Sequence, residues 1–399
     1  MGRRPHQIAG FPRVPRPIRA HYAPAVRLLN ELSNPQKCAL VPTMGALHAG
    51  HEALIRRACE LASRRALPGG CVVTIFVNPT QFNEQADFQR YPRTIDADAV
   101  ICKRAGATTV LAPSVQTVYP DGTEYDVADL PGVATRPGLE DAHRPGHFAG
   151  VCQVVKRLFE LTNPAVAVFG EKDWQQLQVV KAMVAQLALP IEIDSAPTVR
   201  EPDGLAMSSR NRFLSPEYRE RALSLFRALG AAAKEKTFHA AEARMAEVLV
   251  GAGVQPEYAV IRDAESLMLP DDDTDVQMGQ TFVEMGLATR HQVDRCMEVL
   301  REYLLVPARP SLAQILLDKG FFTREQFSLA INAELAGLQR ERTGLRELES
   351  AAKSGQRVSL SAFPAPLSPI PTRPRRALVA ARVGSVRLID NAPWSPANP

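Results

Sequence analysis

Between residues 38 and 193 the chain repeats one pattern, a short continuous apolar run followed by a longer segment of different character. The runs are Cys38–Val41, Cys71–Val77, Thr108–Ala112, Ala165–Phe169 and Ile191–Ile193. Helices are expected between them, over 150–161 and 174–187 for example. Strands that are apolar throughout and alternate with helices are buried in a parallel sheet covered on both faces. The expected fold class is therefore α/β, a Rossmann-like doubly wound parallel sheet. Ligands of such sheets sit beyond the carboxyl ends of the strands. The first, second and fourth runs lead into Met44-Gly45, Asn78-Pro79 and Gly170-Glu171-Lys172. Three polar loops at one sheet edge are thus expected to compose one site.

The first of these loops carries the clearest chemistry. The run Cys38-Ala39-Leu40-Val41 is followed by Pro42-Thr43-Met44-Gly45-Ala46-Leu47-His48-Ala49-Gly50-His51, and a helix is expected to start near His51. A strand, a glycine turn and a helix N-terminus bring backbone N–H groups and the positive end of the helix dipole together. Two imidazoles there can donate hydrogen bonds to phosphate oxygens as charge moves onto them. His-x-Gly-His is the pattern of nucleotidyl-transfer enzymes, and it points to ATP.

The remainder of the chain divides further. Residues 1–24 are rich in Pro and Arg and read as a disordered extension; 25–198 form the nucleotide-binding domain. Residues 199–270 plus 373–399 read as a smaller α+β C-terminal domain. It has helices over 217–234 and 239–250, a strand at Tyr258–Ile261, and a hairpin of 376–384 and 386–389 around Gly384-Ser385. Between its two parts lies an all-α insert, 271–372. There, two segments 34 residues apart each read as helix, Gly C-cap, and a Thr N-cap with Gln three positions on, Thr289/Gln292 and Thr323/Gln326. The insert closes with a Pro-rich linker. Six scattered cysteines with no C-x-x-C indicate reduced structural thiols. A net charge of +4 gives no argument for nucleic acid. No apolar run approaches the ~20 residues that span a bilayer. The basic N-terminus lacks an apolar core, so a secretory signal is not expected and the cytoplasm is.

Six ordered blocks then carry a family likeness. They are the 42–51 block; Phe76-Val77-Asn78-Pro79-Thr80-Gln81-Phe82; Tyr91-Pro92-Arg93-Thr94; Arg144-Pro145-Gly146-His147-Phe148; Phe169 through Leu177; and Val199 through Asn211. Over about 25–270, and again over 373–391, the chain resembles the pantoate–β-alanine ligases. Asn83 and Ala149 depart from that family's usual residues. The resemblance implies that ATP first transfers AMP to the carboxylate of pantoate, releasing pyrophosphate. The amine of β-alanine then attacks the acyl adenylate. Mg2+ is implied as cofactor and a homodimer as the assembly.

Roles follow residue by residue from the same resemblance. His48 and His51 contact the ATP phosphates, His51 giving a proton to pyrophosphate, and Met44 and Gly45 let the backbone approach the nucleotide. Gly170 and Lys172 serve the same phosphates, and Asp173 holds the metal. Val199, Met207, Ser208, Ser209 and Arg210 form a loop reaching ATP, with His51, His48, Lys172 and Arg210 as the catalytic set. Gln81 and Gln176 hold pantoate, with Asn78 and Thr43 shaping its pocket. Arg144 and His147 line the substrate side, and Tyr91, Asp96 and Asp98 are candidates for positioning Mg2+. A Lys-Asp pair or a lone Gln is ordinarily a solvated surface feature, so these roles rest on the blocks. Two other readings stay open. One is a related nucleotidyltransferase with a different acceptor. The other is a scaffold regulated through the insert, whose partner would be an unidentified protein or small ligand.

Overall fold

The structure is a computed structural model that describes residues 26–81, 85–120, 122, 130–270, 279, 282–283, 286, 288–302, 312–321 and 374–396. The expectations for residues 1–24, for Asn83, for the Thr323/Gln326 cap, for the Pro-rich linker and for most of 271–372 lie outside the described residues.

In chain order the first unit consists of β1 (Arg27–Leu29), β2 (Cys38–Thr43), α1 (Ala49–Arg64), β3 (Cys71–Ile75), α2 (Gln85–Arg90), α3 (Ile95–Ala105), β4 (Thr109–Leu111), α4 (Val115–Val118), α5 (Glu140–His143), α6 (His147–Thr162), β5 (Pro164–Gly170), α7 (Trp174–Gln186) and β6 (Glu192–Ala196). Its six strands order β1-β4-β3-β2-β5-β6, every pair parallel. Strand β1 was not expected, because Arg27-Leu28-Leu29 is too short to read as an apolar run. Alternation within each strand separates two cores. Leu40, Val72 and Leu111 face α6 and α7, packing with Val151, Leu158, Leu177 and Val180. Val41, Val73, Val110 and Val168 face α1 and α3, packing with Ile55, Leu61 and Cys102. Burial on both faces is why these runs carry no polar alternation. The order reverses between β2 and β5, and that switch point is where a doubly wound sheet opens a crevice.

The second unit has α8 (Pro216–Ala232), α9 (Phe238–Gly251), β7 (Pro256–Asp263), β8 (Arg375–Val383) and β9 (Val386–Trp394). The three strands form an antiparallel sheet in sequence order. Ala222, Leu225, Leu229, Met245 and Leu249 of the two helices cover one face of it, against Val379, Ala381 and Leu388. The α8 cap is Ser215, with Pro216 in the first turn, and the α9 cap is Thr237.

The chain leaves this sheet after β7 and re-enters it at β8. Asp263 is the register partner of Arg375, and the Ala264 N–H donates to the Pro374 carbonyl at 2.8 Å. Within the intervening segment, helices Arg290–Glu302 and Leu312–Asp318 share a small core of Phe282, Val293, Met297, Leu312 and Leu316. The Thr289 box forms as written: Thr289 Oγ1 accepts the Gln292 N–H and Gln292 Oε1 accepts the Thr289 N–H. Gly286 and Gly320 hold φ of +67° and +69°. Among the described residues no helix is long and apolar enough to cross a membrane.

Candidate active site

A cavity of about 260 Å³ opens at the β2/β5 switch point and is roofed by the second unit. Of the residues singled out above for ATP, substrate or metal, all but Gly45, Asn78, Asp96 and Asp98 line it. The lining brings together Thr43, Met44, His48 and His51 after β2, Gln81, the Gly170–Asp173 loop, Gln176, and Val199 with Met207–Arg210. Arg144, His147 and Tyr91 line it too.

Helix α1 starts two residues earlier than the sequence suggested, at Ala49, with His48 as its cap. His48 Nδ1 accepts the Gly50 N–H at 3.2 Å, and His51 Nδ1 accepts the His48 N–H at 3.3 Å. The two rings serve as a reciprocal capping box, their centroids 4.1 Å apart. Both Nδ1 atoms are therefore acceptors, so in the neutral rings both protons sit on Nε2. A Cβ on Gly50 would stand 2.9 Å from the His48 ring, which explains the glycine between the histidines. Burial, with Lys172 adding to it, lowers His48 to about 4. Burial, then His48, lowers His51 to about 3. Near neutral pH these are uncharged N–H donors. Passing a proton to pyrophosphate, as expected of His51, would require the ring to gain one first; in its neutral form it offers a hydrogen bond from Nε2.

Gly45 has φ +81°, and a Cβ there would stand 3.0 Å from Asp98 Oδ2 and 3.1 Å from Ile75. Its freedom serves the turn and the approach of Asp98, and the residue itself stands outside the cavity lining. Asp98 itself is buried and accepts the Ala46 and Leu47 N–H groups at 3.0 and 2.8 Å and the Thr94 hydroxyl at 3.2 Å. It pins the loop that leads into His48. A carboxylate committed to three donors is not available to Mg2+, and Asp96 lies outside the cavity.

Asn78 is fully buried behind the cavity. Its Nδ2 donates to Gln81 Oε1 and the Gly150 carbonyl, both at 3.1 Å, and its Oδ1 accepts from Thr80 and from the Tyr119 hydroxyl. It orients Gln81 and cannot also reach a ligand. On the other side, the Gln81 carbonyl accepts from Arg144 and from His147 Nδ1, both at 3.3 Å. His147 Nε2 takes a hydrogen bond from Arg144, and burial holds the ring down at about 3. Gln175 and Gln176 both line the cavity, but the Gln175 side chain is engaged by the Glu140 N–H, the Val133 carbonyl and Asp141.

Lys172 Nζ lies 3.4 Å from Asp173 Oδ1. The 199–211 loop is braced by a bridge between Arg200 and Ala206, by Asn211 to Glu201, and by Arg219 to Glu201 and Asp203. Ser208 Oγ accepts the Arg210 N–H, and Ser209 shares a hydrogen bond with Tyr91.

Sequence reasoning missed the contribution of the C-terminal sheet. Leu378, Ile389, Asp390, Asn391 and Tyr258 line the cavity. Arg387 makes a bidentate pair with buried Glu140 at 2.7 Å, and the Tyr258 hydroxyl donates to the same carboxylate at 2.7 Å. Burial opposes the Glu140 charge, and the Arg387 bonds more than offset it, holding the carboxyl at about 2. Arg200 makes a second bidentate pair with Asp390, at 2.6 and 3.0 Å. Thr198 was also missed. Its Oγ1 is buried with no hydrogen-bond partner among the described residues, and nothing around it in the sequence marks it.

In sequence and fold the chain is similar to known proteins of one family. The family described as Pantoate-beta-alanine ligase matches residues 19–296. The pantothenate synthetase of Nocardioides sp. (strain ATCC BAA-499 / JS614) is 50% identical over 244 residues, 59% of this chain and 71% of that protein. That of Thioalkalivibrio sulfidiphilus is 49% identical over 241 residues, 59% of this chain and 82% of the other. The crystal structure of the pantothenate synthetase from Thermus thermophilus superposes with a TM-score of 0.60 at 30% identity, covering 92% of this chain and 99% of that one. A Francisella tularensis pantoate-beta-alanine ligase, solved with beta-gamma ATP and beta-alanine, shares the fold at a TM-score of 0.55 and 23% identity, over 94% and 100% of the two chains.

Proposed function

The chain belongs to the pantoate–β-alanine ligase family, and from that premise we propose that its switch-point cavity joins pantoate to β-alanine through a pantoyl adenylate. The observation that carries this reading is the pairing, in one cavity, of neutral histidine donors and Lys172 with the two glutamine amides of Gln81 and Gln176.

In the first step a pantoate carboxylate oxygen bonds to the α-phosphorus of ATP. The bond from that phosphorus to the β-bridging oxygen breaks, and pyrophosphate leaves with the electron pair. Gln81 and Gln176 suit the hydroxy acid, since an amide can both donate to a carboxylate and accept from a hydroxyl. Asn78, Arg144 and His147 hold Gln81 so that the carboxylate meets phosphorus in line, and such positioning is worth up to roughly 7–11 kcal/mol of barrier. His48 Nε2–H, His51 Nε2–H, the α1 N-terminus, Lys172 and Arg210 meet the phosphate oxygens where charge develops. In the second step the β-alanine nitrogen bonds to the acyl carbon, the acyl–phosphate bond breaks, AMP leaves and the amine loses a proton. The roof of β7–β9 excludes water while the adenylate waits.

Mg2+ fits the donor set as an ion brought with the triphosphate. Among the described residues there is no group of three or more metal-ligating side chains. Of the cavity carboxylates, Glu140 and Asp390 are taken by Arg387 and Arg200, which leaves Asp173. One carboxylate plus phosphate oxygens and water is the usual magnesium environment. The ion would neutralise phosphate charge there. A homodimer and a cytoplasmic location belong to the same reading through family membership; sedimentation equilibrium tests the first.

The deciding experiment is exchange of labelled pyrophosphate into ATP by the purified chain, with and without pantoate. Exchange that requires pantoate is expected. Exchange driven by another acid, or none from a folded, ATP-binding protein, would overturn the assignment.

A further inference from the structure

Lys172 is a long side chain with four rotatable bonds, so its ammonium is placed only as well as its main chain is held. Two main-chain carbonyls flank it on the helix side of β5, those of Glu171 and Lys172. Both are taken by a single group, Asn391 Nδ2, at 3.0 and 2.7 Å. Asn391 is 3% exposed and lies on β9, some 220 residues further along the chain. The Arg376 Nε donates to its Oδ1, which decides which end of the amide faces the loop. Arg376 also pairs with Glu171 at 3.2 Å and lies 3.4 Å from the centroid of the Trp174 ring. The Asn391 N–H donates to Asp390, the residue clamped by Arg200.

The chemistry of this position is narrow. One nitrogen must supply two protons to two carbonyls while the oxygen of the same group accepts from a guanidinium, and an amide of this length does that. A carboxylate of the same shape would accept from Arg376 but face two carbonyl oxygens with no proton to offer.

We propose that Asn391 is a positioning residue for adenylate formation, acting through Lys172 by fixing the main chain on which that ammonium is carried. The inference rests on the ligase reading above, and the test separates the two.

The experiment is single-turnover formation of pantoyl adenylate by the full chain, read as a rate constant and as an amplitude per chain. Wild type comes first; no adenylate from it breaks the ligase reading and this proposal with it. Asn391→Asp should lower the rate constant about 10- to 100-fold, the scale of a misplacement near 1 Å, with the amplitude close to one per chain. The same substitution made in a Lys172→Ala background should lower it less than about threefold, because residues that act as a unit are not additive. Three results overturn the proposal while leaving the ligase reading intact. One is a rate constant unchanged in Asn391→Asp. Another is a lost amplitude at unchanged rate, which is the signature of a merely structural role. The third is an equal factor in both backgrounds. If Asn391→Asp does not accumulate as folded protein, Arg376→Lys takes its place. It keeps a charge beside Glu171 and removes the donor that orients the amide, and it must show the same rate loss and the same dependence on Lys172.

Discussion

The two walls of the cavity are built in opposite ways. The β2–α1 wall is made by neighbours in sequence: His48 caps the helix that carries His51, and the bonds between them span two or three residues. The β8–β9 wall is made by partners far apart. Arg387 reaches Glu140 across 247 positions, Asn391 reaches Lys172 across 219, and Arg200 reaches Asp390 across 190. The first wall is thus specified by a motif, and the second exists only after the fold has closed. Activity lost from the first wall should leave stability nearly intact, whereas substitutions in the second should take both.

Breaking the long-range wall is the harshest test. Arg387→Leu takes the bidentate partner from Glu140, a carboxylate 5% exposed, leaves it only the Tyr258 hydroxyl and a 3.7 Å pair with Arg144, and should cost about 3 kcal/mol in urea denaturation, as for breaking a buried pair. Lys172→Ala, which removes a side chain of the loop after β5 and leaves the main chain held by Asn391, should do the reverse. Adenylate formation falls about 10²–10³-fold, as for loss of one donor to a developing anion, while the denaturation midpoint holds. Equal loss of stability in the two variants would erase the contrast. Asp98→Asn sharpens it by removing a long-range brace from the β2–α1 wall. It replaces an acceptor of three hydrogen bonds with a half-donor and should cost about 2 kcal/mol, with activity falling alongside.

Protonation probes the same wall more gently. His48 and His51 lie near 4 and 3 in the folded chain against an ordinary 6.5, so below pH 6.5 the unfolded chain binds more protons than the folded one. The stability they contribute is complete above 6.5 and is lost as pH falls, by about 1 kcal/mol for each histidine between pH 6.5 and 5.5. A His48→Gln, His51→Gln double variant should show a shallower decline by thermal melts across that window. At the bottom of the scale stands the exposed pair Arg227–Glu220, where Arg227→Gln should shift stability by no more than about 0.5 kcal/mol.

What could be read in advance follows the same division. The α/β class was legible because its strands are buried on both faces and so carry uninterrupted apolar runs; β1, three residues long and half exposed, was not. The convergence of His48, His51, Lys172 and Gln176 on one cavity was legible because each stands in a block whose neighbours shape it. Asp98 was misjudged because its role is set by the Ala46 and Leu47 N–H groups some fifty residues away. Asn78 was placed in the pocket because sequence does not say on which side of Gln81 its amide falls. Asn391 ended the 373–391 stretch of the family resemblance yet received no role, since its partners cannot be inferred from the residues beside it.

The connection between β7 and β8 adds a matter of timing. An ordinary hairpin would close over a few residues, whereas here about 110 separate Asp263 from Arg375. Closing that span as flexible chain costs roughly 3 kcal/mol more than closing a tight turn, about five doublings at 0.6 each. The parallel sheet, with its histidine cap, is emitted whole before β8 exists. On the ribosome, therefore, the β2–α1 wall is complete long before Asn391 has been synthesised, and a nascent chain of the first unit alone presents an anion site with no roof. The strand that completes the cavity roof is thus the last element to be synthesised.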